Sequence, residues 1–341
     1  MKALIHNPYW NSWGGGERYV SRFCKKLLIE KWEVDIDWKE DLSIEMEKRF
    51  GFDLCGAKYV EHFNSFDYDL VFWVSDGSLP TLFSKQNIIH LQFPFKNIDG
   101  KSLFNSIKSK FYDFVVNSEF TKTFIDKEYG VNSKVLYPPV DVETFLPGKK
   151  ENIILYVGRF SKLTQQKGQE ILIDNISKIS SGWKLILAGG AGVGTDEAWL
   201  NGLEKKALKN KVEIIKNPSL KKLIELYGKA KIFWSASGFG INENENPVAV
   251  EHFGISVVET MSSGCVPIVT NLGGHKEIIN NNEDGILWNT VEELINETNL
   301  LIKNPNRLKK LSQMAIQKSK MFSTSNFYEK IDSLVGHRRN S

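Results

Sequence analysis

Two glutamates separated by seven residues form the spacing in this chain that most directly suggests chemistry. They bracket the segment Glu251-His-Phe-Gly-Ile-Ser-Val-Val-Glu259. The glycine and the apolar run after it predict a helix from about Phe253-Gly254 to Ser263, with Glu251 before it and Glu259 on its exposed flank. The free N–H groups at such a helix start attract an anion such as a diphosphate, and neighbouring carboxylates could accept hydrogen bonds from sugar hydroxyls. An ordinary surface helix with two solvated glutamates would show the same spacing.

Two cations earlier in the chain suit the same chemistry. Arg159 follows a strand pattern and a glycine, and Lys167 lies eight residues later. Ligands of open α/β sheets collect at the carboxyl ends of strands, where cations could stabilise the charge that grows on a leaving diphosphate. Common surface charges are the alternative interpretation.

Glycines mark two further loops. Gly14, Gly15 and Gly16 precede a helical pattern, and they predict either a loop that approaches a ligand closely or a simple helix-entry turn. The run from Gly189 to Gly194 resembles a dinucleotide-binding loop, with Glu213 near the position of a ribose-binding acid. Its spacing lacks the last glycine in register and its strand is internal, so an oxidoreductase is disfavoured.

One short segment combines positive charge with apolar side chains. Its lysines are Lys101, Lys108 and Lys110, and its apolar residues are Phe104, Ile107 and Phe111. Such a segment could be a basic amphipathic face in peripheral contact with an anionic membrane. A helix that buries its aromatic side in the protein would have the same sequence.

Composition limits the class of protein. The chain has 341 residues, 41% hydrophobic and 25% charged, which predicts a globular protein of two domains. No apolar run is long enough to cross a bilayer, and the N-terminus lacks a signal-peptide pattern. Three unpatterned cysteines predict neither disulfides nor a zinc site, which favours a reducing, cytoplasmic setting. The net charge of +3 gives no support for a nucleic-acid partner.

The Asp-x-Asp triplets do not predict a metal site. Asp35-Ile-Asp37 and Asp67-Tyr-Asp69 lie beside strand-like alternation, where a spacing of two places side chains on one face of a sheet. We therefore expect no metal ligands.

Strand-like runs alternate with helical patterns throughout, which predicts an α/β fold with parallel sheets built from βαβ units. The predicted strands are Lys2–His6, Leu70–Val74, Asn87–Leu91, Asp113–Val116, Ile153–Val157, Lys184–Leu187, Val212–Ile215, Ile232–Ser235 and Val266–Thr270. The breakers Pro138-Pro139 and Pro147-Gly-Lys-Lys150 in the middle of the chain predict the domain boundary there. Asn242-Glu-Asn-Glu-Asn246 is interpreted as a solvated loop.

Seven segments together resemble one enzyme family. Besides the Glu251–Glu259 segment they are Gly14-Gly-Gly-Glu-Arg18, Asn117-Ser-Glu-Phe-Thr121, Leu136-Tyr-Pro-Pro-Val-Asp141, Val157-Gly-Arg-Phe160, Gln166-Lys-Gly168 and Gly273-Gly-His-Lys-Glu277. The chain resembles the family-four retaining glycosyltransferases with the two-domain B-type fold, and among them the mannosyltransferases that extend the lipid-linked oligosaccharide.

The resemblance implies an architecture. Two Rossmann-like domains would face each other across a cleft, as in the GT-B fold. Residues 1–147 would form an N-terminal acceptor-binding domain and residues 148–320 a C-terminal nucleotide-sugar-binding domain. Residues 321–341 would form a C-terminal helix that crosses back to the first domain.

The resemblance also implies roles for individual residues. Those that would contact the diphosphate are Arg159, Lys167 and the backbone N–H groups of Phe253, Gly254 and Ile255. Glu251 would hold the sugar hydroxyls and Glu259 the nucleotide ribose. Gly15 and Gly16 would lie between donor phosphate and acceptor. Either His90 would lie near the reacting sugar, or Gln92, which a gapless match puts at that position, would supply a hydrogen bond.

The implied reaction transfers a hexose with retention of its anomeric configuration. Mannose from GDP-mannose is the first expectation for the donor, a glycan or lipid-linked hydroxyl is the acceptor, and neither metal nor cofactor is required. The polar loop ahead of Glu251 departs from the family pattern and leaves the sugar open. A non-catalytic nucleotide-sugar or glycan-binding protein, and a phosphorylase or synthase that uses a sugar phosphate, remain alternatives.

Overall fold

The computed structural model describes residues 1–161, 165, 167–192 and 194–336. It contains two compact units. The first unit comprises residues 1–139 and the chain from Thr324, and the second comprises Val140–Ser323. The chain thus passes into the second unit after Pro139, ahead of the boundary expected after residue 147.

The first unit is built on one parallel sheet of seven strands in the order β3-β2-β1-β4-β5-β6-β7. The strands are β1 (Lys2–His6), β2 (Glu33–Asp37), β3 (Lys58–Val60), β4 (Leu70–Val74), β5 (Gln86–Leu91), β6 (Asp113–Val116) and β7 (Lys134–Val135). Its first helices are α1 (Gly15–Ile29), α2 (Ser43–Phe50), α3 (Leu103–Lys108) and α4 (Glu119–Tyr129).

Alternate residues of the central strands enter two separate apolar cores. Ala3 and Ile5 of β1 pack in one core, whereas Leu4 packs in the other. Side chains alternate between the faces of a strand, so a sheet covered on both faces requires continuous apolar runs. This is why the central strands could be recognised as short uninterrupted apolar segments.

The second unit holds a parallel sheet of six strands in the order β10-β9-β8-β11-β12-β13, the strand order of a dinucleotide-binding Rossmann fold. The strands are β8 (Glu151–Val157), β9 (Lys184–Gly189), β10 (Glu213–Lys216), β11 (Ala230–Ser235), β12 (Val266–Thr270) and β13 (Ile286–Trp288). The helices are α5 (Gln169–Asn175), α6 (Glu197–Lys209), α7 (Leu220–Lys229), α8 (Ile255–Ser262), α9 (His275–Ile278), α10 (Val291–Lys303) and α11 (Pro305–Ser319). The predicted α/β class with two Rossmann-like domains is confirmed.

The last helix, α12 (Thr324–Gly336), belongs to the first unit although the second unit precedes it in the chain. Phe327 and Ile331 enter the first unit's core, where the Phe327 ring contacts Tyr19 edge to face at 5.1 Å. On the same helix the Asp332 carboxylate lies 2.8 Å from the Lys26 ammonium of α1. Within the described chain, every helix is too short or too polar to cross a membrane.

Candidate functional site

The start of α8 is set by a glycine. Gly254 has a φ of 117°, a region that residues with a side chain rarely occupy. A Cβ there would also lie 3.3 Å from Val257 and 3.4 Å from His275. The N–H group of the first helical residue, here Ile255, has no acceptor within an α-helix and lies at its positive dipole end. The helix predicted to begin near Phe253-Gly254 is confirmed, and its N-terminus is suited to an anion.

A cation and a carboxylate meet just before this helix. The Lys167 ammonium lies 2.8 Å from Glu251 Oε2, and Ser237 Oγ donates to the same oxygen at 3.2 Å. Lys167 is only 13% exposed and Glu251 18%. Lys167 follows β8, Ser237 follows β11, and these strands are neighbours in the sheet. The pair therefore lies at the carboxyl edge of the parallel sheet, where ligands bind in this fold.

Lys167 keeps Glu251 ionised. Burial raises the pKa of Glu251, but the charge of Lys167 opposes it, and with contributions from His275 and His252 the pKa falls to about 2. Burial lowers the pKa of His275 to about 4, so this imidazole is neutral at pH 7. At neutral pH the ammonium of Lys167 is therefore the main charge that stabilises the carboxylate.

His275 presents an unprotonated nitrogen beside the same site. Its Nδ1 lies 3.1 Å from the Thr270 backbone oxygen, which can only accept, so Nδ1 carries the proton. Within the described structure, the buried Nε2 has no hydrogen-bond partner. His275 therefore offers an acceptor in the neighbourhood of Glu251 and Gly254.

A buried amide connects the two predicted cations. Gln169, at the start of α5, donates through Nε2 to the Tyr156 hydroxyl at 3.1 Å and to the Arg159 backbone oxygen at 3.0 Å. Gly168 precedes it with a φ of 65°, and a Cβ there would overlap the Ala236 carbonyl at the end of β11. The turns that carry Lys167 and Arg159 are thus fixed to each other, while the side chain of Arg159 itself is exposed. Gln166 of the Gln166-Lys-Gly168 match lies outside the described residues.

Glu259 differs from its predicted exposed position. It is 8% exposed and accepts a hydrogen bond of 2.9 Å from the hydroxyl of fully buried Tyr227. The expectation of an exposed flank was wrong because α8 also packs against α11, so most of the helix surface is covered. Tyr227 was not among the predicted site residues, since its position on the buried face of α7 gives no sign of a polar partner elsewhere.

A second residue that sequence reasoning missed fixes the far end of α8. The Lys150 ammonium donates to the carbonyl oxygens of Ala230 and Ser263 at 2.7 Å and of Tyr227 at 3.3 Å. Burial lowers the pKa of Lys150. Because Ser263 ends α8 and Tyr227 is near the end of α7, one cation neutralises the negative dipole ends of both helices.

The polar loop before Glu251 is not merely solvated. Glu243 accepts the Gly273 N–H at 2.7 Å and also pairs with Lys276. The next amide, that of Gly274, donates to the Glu251 backbone oxygen at 2.8 Å. A Cβ on Gly273 would overlap that same oxygen. The predicted solvated loop is confirmed, since four of its five residues are exposed, and through Glu243 it also supports the segment that carries Glu251.

In the first unit the predicted residues separate into two environments. Gly15 and Gly16 open α1, and a Cβ on Gly16 would overlap the side-chain oxygen of Gln92. His90 is fully buried, stacked on Tyr19 at 4.3 Å, and its pKa is lowered to about 3 by burial. Gln92 thus meets the glycine run, whereas the His90 imidazole is enclosed in the core, and we do not assign it to the reacting sugar.

The alternative motifs have structural explanations. Glu213 opens β10 at its amino end and is exposed, opposite to the strand end where a ribose-binding acid is needed. Gly189 is required because a Cβ there would overlap the Gly158 carbonyl. Asp35 is paired with Lys2 and Tyr68, and Asp37 with His6. Among the described residues, no group of three or more His, Cys, Asp or Glu side chains is placed to hold a metal ion.

The family comparison agrees with this geometry. Residues 141–318, half of the chain, match the family described as glycosyl transferases group 1, and the chain belongs to this family. Its fold is that of the GT-B glycosyltransferases.

Curated relatives are similar at modest identity. A Dictyostelium discoideum GDP-Man:Man(3)GlcNAc(2)-PP-Dol alpha-1,2-mannosyltransferase is 26% identical over 81% of this chain and 58% of its own length. The mouse enzyme of that name is 30% identical over 48% of this chain and 34% of its length. The Dictyostelium alpha-1,3/1,6-mannosyltransferase ALG2 is 25% identical over 83% of this chain and 78% of its length. The chain thus spans only part of the first two relatives.

Solved structures share the fold. A glycosyltransferase from Rickettsia africae superposes with a TM-score of 0.79 at 21% identity, covering 100% of this chain and 99% of that one. HepE of Anabaena, solved in complex with UDP, gives 0.77 at 16% identity, covering 98% and 100%. At these identities the likeness concerns the fold alone.

Proposed function

We propose that this glycosyltransferase transfers mannose from GDP-mannose, with retention of configuration, to a hydroxyl group of a glycan or lipid-linked acceptor. The names of the curated relatives support the sugar, the nucleotide and the lipid-linked acceptor. We further propose a cytoplasmic setting, which the unpaired cysteines Cys24, Cys55 and Cys265 favour.

The observation that carries the proposal is the Lys167–Glu251 pair at the start of α8. The cation and the carboxylate that a sugar diphosphate needs lie 2.8 Å apart. We propose that Lys167 and Arg159, with the backbone amides of Phe253, Gly254 and Ile255 at the start of α8, bind the diphosphate and stabilise its charge as it leaves. Glu251 would then accept hydrogen bonds from the hexose.

Three further assignments complete the proposal. Glu259, oriented by Tyr227, accepts a hydrogen bond from the ribose. In the first unit, Gly15 and Gly16 let the backbone approach the acceptor closely, and Gln92 supplies a hydrogen bond there. The positive charges of Lys167 and Arg159 neutralise the diphosphate, as a divalent cation does in metal-dependent enzymes, so the reaction proceeds without metal or cofactor.

The first experiment measures donor hydrolysis and transfer. Glu251→Gln keeps the size of the side chain but removes its charge, and we expect turnover of GDP-mannose to fall by about a hundredfold or more. Glu292→Gln, an exposed glutamate on α10, is the matched control and should retain full activity. A chelator should leave the rate unchanged, and NMR of the product should show the donor's anomeric configuration.

Ligand-dependent unfolding separates the alternatives. GDP should raise the midpoint of thermal unfolding, because a ligand that binds only the folded form stabilises it. A nucleotide-sugar-binding protein would be stabilised but would turn over none of the donors. A phosphorylase or synthase would respond to phosphate or a sugar phosphate. The absence of a shift with GDP, UDP and ADP alike would refute the transferase assignment.

A further inference from the structure

A cluster of large apolar side chains in the first unit faces solvent. It lies on α3 and on the 3₁₀ turn Ser109–Phe111 that follows, neither of which buries a residue. The exposed residues are Leu103 (74%), Phe104 (77%), Ile107 (50%) and Phe111 (71%). The sequence allowed a helix that buries its aromatic side, and the structure excludes that arrangement. Clusters of this kind mark surfaces that contact a partner.

The segment is held in place at both ends. Before α3, the Glu128 carboxylate accepts backbone N–H groups of Asn97 and Ile98 at 2.9 Å and of Gly100 at 3.2 Å. At the end of α3, the Lys108 ammonium donates to the Leu79 carbonyl at 2.8 Å. The exposed apolar residues are therefore presented by an anchored element.

Positive charge accompanies the apolar cluster. An open cavity of about 660 Å³ has both α3 and the 3₁₀ turn in its wall. Its charged lining consists of three lysines, Lys101, Lys110 and Lys134, and one carboxylate, Asp113. Asp113 lies 3.7 Å from Lys134, and the charge of Lys101 also acts on nearby Glu128. With three lysines and one carboxylate in its lining, the cavity keeps an excess of positive charge that can bind anions. Hydroxyl groups of Ser106, Ser109 and Tyr112 line the same cavity.

We propose that this surface, which we call the α3 face, docks on a bilayer that contains anionic lipids. The four apolar side chains insert among the acyl chains, and Lys101 and Lys110 contact phosphate headgroups at the level of the cavity. The lysines select a bilayer as the partner, because a second copy of the chain would place equal charges against each other. This inference goes beyond the proposed function, since it requires no donor or acceptor.

The test is flotation of the full chain with lipid vesicles. The wild type should bind vesicles of phosphatidylcholine with phosphatidylglycerol, and should bind pure phosphatidylcholine much more weakly. The double variant Phe104→Ser/Phe111→Ser should lose about tenfold or more in partition coefficient. Lys101→Gln/Lys110→Gln should lose about fivefold for each charge, and only on anionic vesicles.

Leu208 offers a matched control in the second unit. It is 78% exposed on α6 and has lysines on both sides, Lys206 and Lys209. Leu208→Ser should bind vesicles like the wild type. Thermal unfolding and hydrolysis of the sugar nucleotide should be unchanged in all these variants, which separates a failure of docking from a failure of the proposed enzyme function.

Three results would overturn the proposal. The first is equal binding to neutral and anionic vesicles, and the second is an equal loss of binding in Leu208→Ser. The third is a wild-type dimer in solution that Phe104→Ser/Phe111→Ser converts to a monomer, because the α3 face would then be covered by a second copy.

Discussion

The substitution Lys167→Met removes the charge that keeps Glu251 ionised. In the wild type, the pKa of Glu251 is about 2 instead of 4.5. A group whose pKa is lowered in the folded state stabilises the protein above pH 4.5, and this stabilisation is lost as the pH falls towards 2. The full shift corresponds to about 3 kcal/mol, and the partial exposure of the pair reduces the expectation to about 1–2 kcal/mol.

Without Lys167 the pKa of Glu251 shifts in the opposite direction. Burial then raises the pKa of Glu251, so the ionised carboxylate destabilises the folded protein at pH 7. This penalty should shrink as the pH falls through the raised pKa. The stability difference between wild type and Lys167→Met should therefore be largest near pH 7 and decrease towards pH 5.

The assay is urea unfolding between pH 5 and 8, analysed with separate transitions for the two units. Glu251→Gln in the Lys167→Met background removes the unpaired charge and should recover most of the loss at pH 7. A loss that is the same at pH 5 and pH 7, or a double variant no more stable than Lys167→Met, would refute the assigned role of the ion pair.

Three further predictions concern the neighbouring residues. Tyr227→Phe removes the hydrogen bond to Glu259, so the free energy of unfolding should fall by about 1–2 kcal/mol in urea unfolding. The Kd for GDP, measured by calorimetric titration, should rise. An unchanged affinity for GDP would contradict the proposed ribose contact. Gly16→Ala should reduce transfer activity, because the added Cβ displaces the Gln92 side chain. The overlap involves only that side chain, so a further Gln92→Ala change should relieve the overlap without restoring the lost hydrogen bond. An inactive Gly16→Ala protein whose crystal structure shows Gln92 unmoved would contradict this explanation. The pKa of His275 is about 4 in the folded protein and 6.5 in the unfolded chain, so the free energy of unfolding should fall as the pH drops from 6.5 to 4. His275→Phe should remove this contribution to the pH dependence of unfolding.

The sequence identifies the central strands of both sheets well. The bounds of β4, β6 and β12 agree with prediction because these strands are mostly apolar and nearly all of their residues are buried. Strand β2 was not assigned, since three of its five residues are acidic, among them the paired Asp35 and Asp37. Their partners lie on other strands or loops, and a local pattern does not contain that information.

The site was predictable where a motif carries it and unpredictable where the fold creates it. The sequence singled out Lys167 and Glu251, which are 84 positions apart, and the structure brings them together. It did not indicate Tyr227, Ser237 or Lys150, whose importance arises from hydrogen bonds across neighbouring elements. The burial of His90 was also hidden, because a polar residue near a strand end gives no sign that aromatic rings enclose it.

The return of α12 to the first unit has a consequence for biosynthesis. During translation, residues 140–323 emerge as one uninterrupted stretch and can complete their own hydrophobic interior at once. The first unit cannot complete its core until Phe327 and Ile331 have been synthesised, when nearly all of this sequence has left the ribosome. The order of folding is therefore expected to be opposite to the order of synthesis, and an unfinished first unit is the species that chaperones would encounter.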